Sequence, residues 1–264
     1  MMGTAGVIHL SVWQLAVAFL LVGVIIVVSI HEALGLERDL VIGALRTMVQ
    51  LYGVGLILTA VFAAARWYWV MLIVMGMTGV ATQAAVSRLK TPIPGGHLIA
   101  ATALTLSTAA TLAYVITVVV QVHPWYEPQY IIPIAGMILG NSMTSAALAG
   151  DRLQGELRSR ADEVEARLAL GFSGREAMQP LVRSALQAAM IPTVNGMMTV
   201  GLVQLPGMMT GQILAGASPL VAIRYQIVVV FMLAAATAVS SLLFVRLALR
   251  RYLTPAHQLR RYLV

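Results

Sequence analysis

The sequence predicts an all-α, polytopic integral membrane protein of about seven transmembrane helices, with its N-terminus outside and its C-terminus in the cytoplasm. Three observations carry that expectation. Of the 264 residues, 59% are apolar and only 10% charged, against roughly 25% charged in an ordinary soluble domain, which excludes a soluble globular protein. The apolar residues are gathered into seven runs, most of them near the roughly 20 residues that cross a hydrocarbon core. Lysine and arginine cluster at alternate ends of those runs, the pattern that fixes membrane orientation.

The first run, Val12 to Ile30, has no Lys or Arg before it and no evident small-residue cleavage site, so it reads as a retained helix and not a signal peptide. The second, Leu40 to Ala65, is apolar except for Arg46 and Gln50. After a break at Arg66 the third covers Trp67 to Val86 and opens with Trp67, Tyr68 and Trp69, placed as interfacial anchors. The fourth runs from Leu98 to Val120. A loop from His123 to Gln129 leads to the fifth, which begins near Tyr130 and ends near Gly150. The sixth occupies about Ser184 to Leu205 and carries Pro192. The seventh, Leu220 to Leu249, ends in Arg250 and Arg251. With so little left over, the whole chain, 1–264, reads as one transmembrane domain.

With an external N-terminus, 14 of the 17 basic residues fall on the inner side, only Arg66 and Arg224 on the outer, and Arg46 within a helix. The net charge of +7 is thereby a matter of topology and of contact with lipid head groups, and nucleic acid is not an expected partner. The chain has no cysteine, which excludes disulfides, Cys-ligated zinc, iron–sulfur clusters and thiol catalysis.

One segment is unlike a span. Residues 151–183 contain six arginines and six acidic residues, and the spacing of Leu153, Leu157, Val164, Leu168 and Leu170 predicts a charged helix continuing the fifth span, followed by a turn over 171–174. Here the chain reads Glu165-Ala166-Arg167-Leu168-Ala169-Leu170-Gly171-Phe172-Ser173-Gly174-Arg175-Glu176. The run from Glu165 and Ala166 to Gly171 resembles the EAA loop of ATP-binding cassette (ABC) permeases, a Glu-Ala-x-x-x-x-Gly segment that ends one short helix and begins another. Such a short helix fits a groove on a nucleotide-binding subunit, and the glycine permits the turn between helices. The plainer reading is a solvated amphipathic loop. Glu165, Ala166, Gly171, Phe172, Arg175 and Glu176 are the candidate coupling residues. No Gly-x-x-x-x-Gly-Lys-Ser/Thr sequence occurs, so ATP, if it drives this protein, is expected with Mg on another chain, and this chain is expected to bind no cofactor.

Polar side chains inside the spans are expensive in hydrocarbon and mark candidate path positions. Arg46 and Gln50 lie four apart and share a helix face. The alternative for Arg46 is snorkelling to the head groups. The fifth span offers Asn141 and Ser142 beside a Gly136-x-x-x-Gly140 step that suits close helix packing. The sixth offers Asn195 and Gln204, and Pro192, Pro206 and Gly207 suggest a broken helix followed by a short or re-entrant segment containing Gln212. The pairs Met197/Met198 and Met208/Met209 suit a soft ion or, more simply, the filling of gaps. The five histidines, His9, His31, His97, His123 and His257, show no metal-site spacing, and no metal ligands are assigned.

The stretches LERDLVIGALRTMVQL, IPIAGMILGNSM, the EAA-like loop, and PTVNGMMTVGLVQLPGMMTGQILAGASPLVAIRYQIVVVFMLA resemble the FetB-type family of ABC permeases, associated with iron export in bacteria and with aluminium tolerance in plants. The resemblance implies a permease subunit in the cytoplasmic membrane. It would pair with a separate cytoplasmic ATPase subunit, as two copies of each, and export iron or another metal species. The spans hold none of the carboxylates that hard ferric ions prefer, so either the ion travels chelated, or backbone and amide oxygens serve as ligands, or iron is an indirect readout. A secondary transporter or channel for a metal ion or small organic solute is the alternative, although such proteins usually carry an intramembrane carboxylate or histidine. An intramembrane enzyme would need a base within reach of Ser142, and no span provides one.

Overall fold

The computed structural model describes residues 11–64, 66–254, 256 and 258–263. Two of the histidines, His9 and His257, lie outside these residues. The described residues form helices, two isolated bridges and no strand. The helices are α1 (Val12–His31), α2 (Glu37–Ala64), α3 (Trp67–Ser87), α4 (Gly96–Tyr114), α5 (Pro128–Ser159), α6 (Ala161–Ala169), α7 (Gly174–Thr199), α8 (Gly207–Leu214) and α9 (Pro219–Tyr252). The end of α4 widens into a π-helical turn over Val115–Val119.

Six of these, α1 to α5 and α9, are long and apolar enough to cross a membrane. The sixth run expected from the sequence, about 184–205, differs in its bounds. Its helix begins ten residues earlier, at Gly174, and stops at Thr199. The added first half carries Arg175, Glu176, Gln179 and Arg183, so α7 falls short of the hydropathy of the other six. Nor does α7 break at Pro192. It runs through both Pro180 and Pro192, each of which removes one backbone hydrogen bond, and the interruption comes after Thr199. There the amide of Val200 still donates to the Gly196 carbonyl, Gly201 turns back at φ +83°, and its amide donates to the Gln204 carbonyl. Pro206 then opens the eight-residue α8.

Contacts divide the chain into two units, one of residues 1–65 and 212–217, the other of residues 66–211 and 218–264. In the first, α1 and α2 pack on each other as a hairpin. Its turn is tied by the Ser29 hydroxyl, which donates to Glu37 at 2.7 Å and accepts the amide of Leu36 at 3.1 Å. In the second, α5 is central and packs on α3, α4, α7 and α9. The helices approach through small residues: Ala146, Ala149 and Gly150 on α5, Ala236, Ser240 and Ala248 on α9, Ala100, Ala103 and Ser107 on α4, all buried. Lipid tails are as apolar as leucine, so packing of this kind, and not water exclusion, holds membrane helices together.

The glycine step expected at Gly136 and Gly140 is only half used. A Cβ at Gly136 would lie 3.1 Å from Met77 of α3, whereas one at Gly140 would meet open space. The approach at Gly150 is tighter still, for a Cβ there would stand 2.8 Å from both Leu89 and Phe244.

Candidate functional site

The charged segment is helical up to a turn after α6, but the helix expected to continue the fifth span without interruption is broken once. α5 continues beyond its apolar part to Ser159, bends at Arg160 (φ −128°, ψ 21°), and resumes as the nine-residue α6. Ala161 and Val164 are buried, with Leu168 half-buried on the same stripe, and α6 lays this face on α7. Glu156 is held by Arg152 at 2.8 Å and Arg160 at 3.4 Å, and accepts the Ser184 hydroxyl of α7 at 2.8 Å. Arg160 forks onto Glu163, at 2.7 and 3.0 Å, and Arg167 reaches the same carboxylate at 2.8 Å. The Arg160 guanidinium, with help from Arg167, holds the Glu163 carboxyl below its ordinary range, and that carboxylate raises Arg160 in return.

The turn after α6 joins two helix caps back to back. The amide of Phe172 donates to the Arg167 carbonyl at 3.2 Å and that of Gly171 to Leu168 at 3.0 Å. This is the Schellman pairing, which needs a left-handed residue at Gly171, here at φ +90°. Two residues on, the hydroxyl of Ser173 accepts the Glu176 amide, and the Glu176 carboxylate accepts the Ser173 amide at 2.9 Å and its hydroxyl at 2.7 Å. That reciprocal box caps α7 and draws the Glu176 carboxyl below its ordinary range, mainly through the hydroxyl.

The candidate coupling residues therefore come together at one tip but differ in availability. Ala166, Gly171, Phe172, Arg175 and Glu176 are exposed. Leu170 is 78% exposed and Phe172 49%, so the tip presents an apolar pair rimmed by charge. Glu165 is half-buried and already engaged: Arg261, from the C-terminal tail, donates to it at 2.7 Å and also to Asp162. These two acids, Asp162 first, raise Arg261 above its ordinary value. The motif comparison contained no sign of the tail contact. Ser173-x-x-Glu176, in contrast, has the spacing of a capping box.

Depressed carboxyls stabilise the fold above their unfolded value of about 4.5 and cease to do so as pH falls through their lower folded values. Amide hydrogen exchange over residues 161–177 is expected to show constant protection from pH 7 to about pH 5 and loss below about pH 4.5. Ser173→Ala, which removes the main cause of the Glu176 shift, should flatten the contribution of the second cap and cost about 1 kcal/mol.

The candidate path residues divide. Asn141 and Gln204 line one groove of about 280 Å³, together with Thr193, Met197 and Pro206. Asn141 donates its amide to the Met137 carbonyl at 2.9 Å, leaving its carbonyl oxygen as the open acceptor. Ser142, its neighbour, points the other way: it is fully buried in the helix packing and its hydroxyl has no partner there. Asn195 is exposed and does not line the groove. Arg46, Gln50 and Gln212 belong to the first contact unit. Arg46 and Gln50 are both exposed on α2, and the Gln212 carbonyl is buried without a partner. Among the described residues no three His, Cys, Asp or Glu side chains gather to hold a metal ion.

Comparison with known proteins agrees with this architecture. The chain is 36% identical over 246 residues to the protein named "Probable iron export permease protein FetB" of Escherichia coli, covering 93% of each chain. It is 35% identical to Protein ALUMINUM SENSITIVE 3 of Arabidopsis thaliana, over 92% of this chain and 88% of that one. It is also 38% identical to the UPF0014 membrane protein STAR2 of Oryza sativa subsp. japonica, over 90% and 82%. No solved structure matches. The model of the family described as "Uncharacterised protein family (UPF0014)" matches residues 12–253, and this multi-pass helical membrane chain belongs to the UPF0014 family.

Proposed function

We propose that this permease is the membrane-spanning subunit of an ABC exporter in the cytoplasmic membrane, working with a separate cytoplasmic ATPase subunit that binds ATP and Mg, and assembled with a second copy of itself. The carrying observation is the tip between α6 and α7. Leu170 and Phe172 stand exposed on a turn fixed by two helix caps, at the end of the molecule where the charges collect. A rigid apolar knob on a polar surface is what a groove in a partner can grip and move.

Seven crossings with the N-terminus outside are supported by the course of the second unit. Lys90 after α3, Asp151 on α5, the start of α7 and the end of α9 meet at one end: the Lys90 amide donates to Asp151 at 2.9 Å, Thr91 lies beside Tyr252, and Arg261 reaches α6. α9 starts at the opposite end, so α7 must carry the chain across despite its polar first half. The whole chain then acts as one permease domain, with residues 151–183 as its coupling loop.

Closure of the ATPase subunits would tilt α6 and, through it, α5 and α7, whose facing surfaces form the Asn141–Gln204 groove. Opening that groove first inward and then outward is alternating access. The groove offers amide and carbonyl oxygens and one thioether, and no carboxylate, so a chelated or otherwise neutralised metal species, iron first, is the cargo it suits. Asn141 and Gln204 are the path positions that this proposal rests on. The test is reconstitution of the chain with its ATPase subunit in liposomes. Iron species are expected to stimulate ATP hydrolysis and to be transported. Transport that persists without the ATPase would make the chain a secondary transporter, and stimulation by an organic solute alone would overturn the metal cargo.

A further inference from the structure

A second groove, of about 530 Å³, lies between the first turns of α7 and the last turns of α9, and its chemistry differs from everything around it. Arg175, Arg246, Arg250 and Arg260 line it, with Leu249 and Leu253 among its apolar residues and no acidic residue. The carboxylates of this end are committed elsewhere: Glu156 and Glu163 to Arg152, Arg160 and Arg167, Asp162 and Glu165 to Arg261, Asp151 to the Lys90 amide, and Glu176 to Ser173. Among the described residues no carboxylate pairs with any of the four groove arginines. Arg246 and Arg250 are four apart on one helix face, where like charges repel. Four converging guanidinium groups with no internal counter-charge call for an external anion.

Position along α9 says which anion. Between Arg224 and Arg246 the helix carries no charged residue. Those 22 steps at 1.5 Å span about 33 Å, close to the ~30 Å thickness of a hydrocarbon core. Arg246 thus stands at the depth of lipid phosphates, with Arg250 one turn further into the head-group layer. We infer that this groove binds the phosphate of an anionic phospholipid, the arginines holding the phosphodiester as forks and Leu249 lying against the carbon atoms of its head group. Basic pockets between membrane helices bind anionic head groups in this way. The site adjoins the α6–α7 turn through Arg175, yet the inference needs neither the ATPase subunit nor any particular cargo.

A soluble phosphate compound offers the same chemistry, so the experiment separates the two sources. The full chain is purified and its bound lipids are counted by native mass spectrometry after exposure to equal amounts of phosphatidylglycerol and phosphatidylcholine. Wild type is expected to prefer phosphatidylglycerol. The double variant Arg246→Gln/Arg250→Gln should lower that preference about thirtyfold, whereas Arg38→Gln, which removes a single charge on α2, should leave it in place. The variant Arg246→Lys/Arg250→Lys, which keeps charge and loses the fork, should fall between. Millimolar pyrophosphate should not displace the lipid. Undiminished selectivity in a monodisperse double glutamine variant would overturn the proposal. Displacement by pyrophosphate would assign the groove to a soluble phosphate compound. Unchanged lipid selectivity with lost binding of the ATPase subunit would assign it to an acidic protein surface.

Discussion

Gly171→Val is expected to abolish ATP-driven transport while leaving membrane insertion and the lipid-facing helices unchanged. The substitution meets no steric neighbour, since a Cβ at Gly171 would find nothing within 4 Å. Its whole effect comes from the backbone. At φ +90° a β-branched residue is strained by about 1–2 kcal/mol, and the turn relieves that strain by giving up the Schellman bonds. The tip would then lose its fixed shape, because Phe172 is itself the residue whose amide closes the outer bond. A knob that can swivel transmits little displacement. Insertion, measured by protease accessibility of the loops, should match wild type, and coupled ATP hydrolysis in liposomes should fall to the unstimulated level. Gly171→Asn, which tolerates the left-handed region, should restore much of the activity. Full transport by the valine variant would show that the turn does not couple.

Gly150→Leu is expected to have the largest effect on stability. The glycine lies where α5, α9 and the end of α3 converge, and even a Cβ would sit 2.8 Å from Leu89 and from Phe244. Phe244 is 1% exposed and so has no room to retreat. Overpacking of this kind costs about 1–3 kcal/mol for small insertions, and a leucine adds three further carbons beyond the Cβ. Thermal unfolding in detergent should shift to markedly lower temperature, with Gly150→Ala showing the same effect at smaller size. Gly140→Ala is the internal comparison: its space is open, and the better helix propensity of alanine should leave stability equal or slightly raised. Equal behaviour of the two alanine variants would contradict the packing described for α5.

The contrast between these glycines shows what the sequence could and could not convey. Helix positions were legible because the apolar runs are long and their ends are marked by Ser, Pro and Arg. The charged segment was legible because six arginines and six acids interrupt an otherwise apolar chain. The close approach at Gly150 was not, because in lipid every helix face is apolar and hydropathy cannot say which face meets protein. The spaced pair Gly136 and Gly140 drew attention, while the single glycine beside Ala146 and Ala149 carried the contact. The start of α7 was not read from the sequence, although Ser173-x-x-Glu176 has the spacing of a capping box: the polar residues after it concealed that one helix runs from there past Pro192. Of the path residues, Asn141 and Gln204 could be paired only by folding, since 63 positions separate them and the turn at Gly201 brings them to one groove.

The tail contact changes what the motif's glutamate is for. Glu165 was chosen as a residue offered to a partner, but its carboxylate is occupied by Arg261 of its own chain. Residues 258–263 therefore act as a strap: Leu259 pairs with Leu253, Arg260 donates its amide to the Tyr252 carbonyl, and Arg261 closes on α6. The strap fixes the helix beneath the knob to the end of α9, the longest helix of the bundle. Under the proposed coupling, a push on Phe172 would be delivered along two routes at once, through α7 by the turn and through α9 by the strap. Residues 258–263, which look like an overhang in the sequence, would then be a working linkage, and Arg261→Ala, which removes the contact with Glu165 and Asp162, would loosen it.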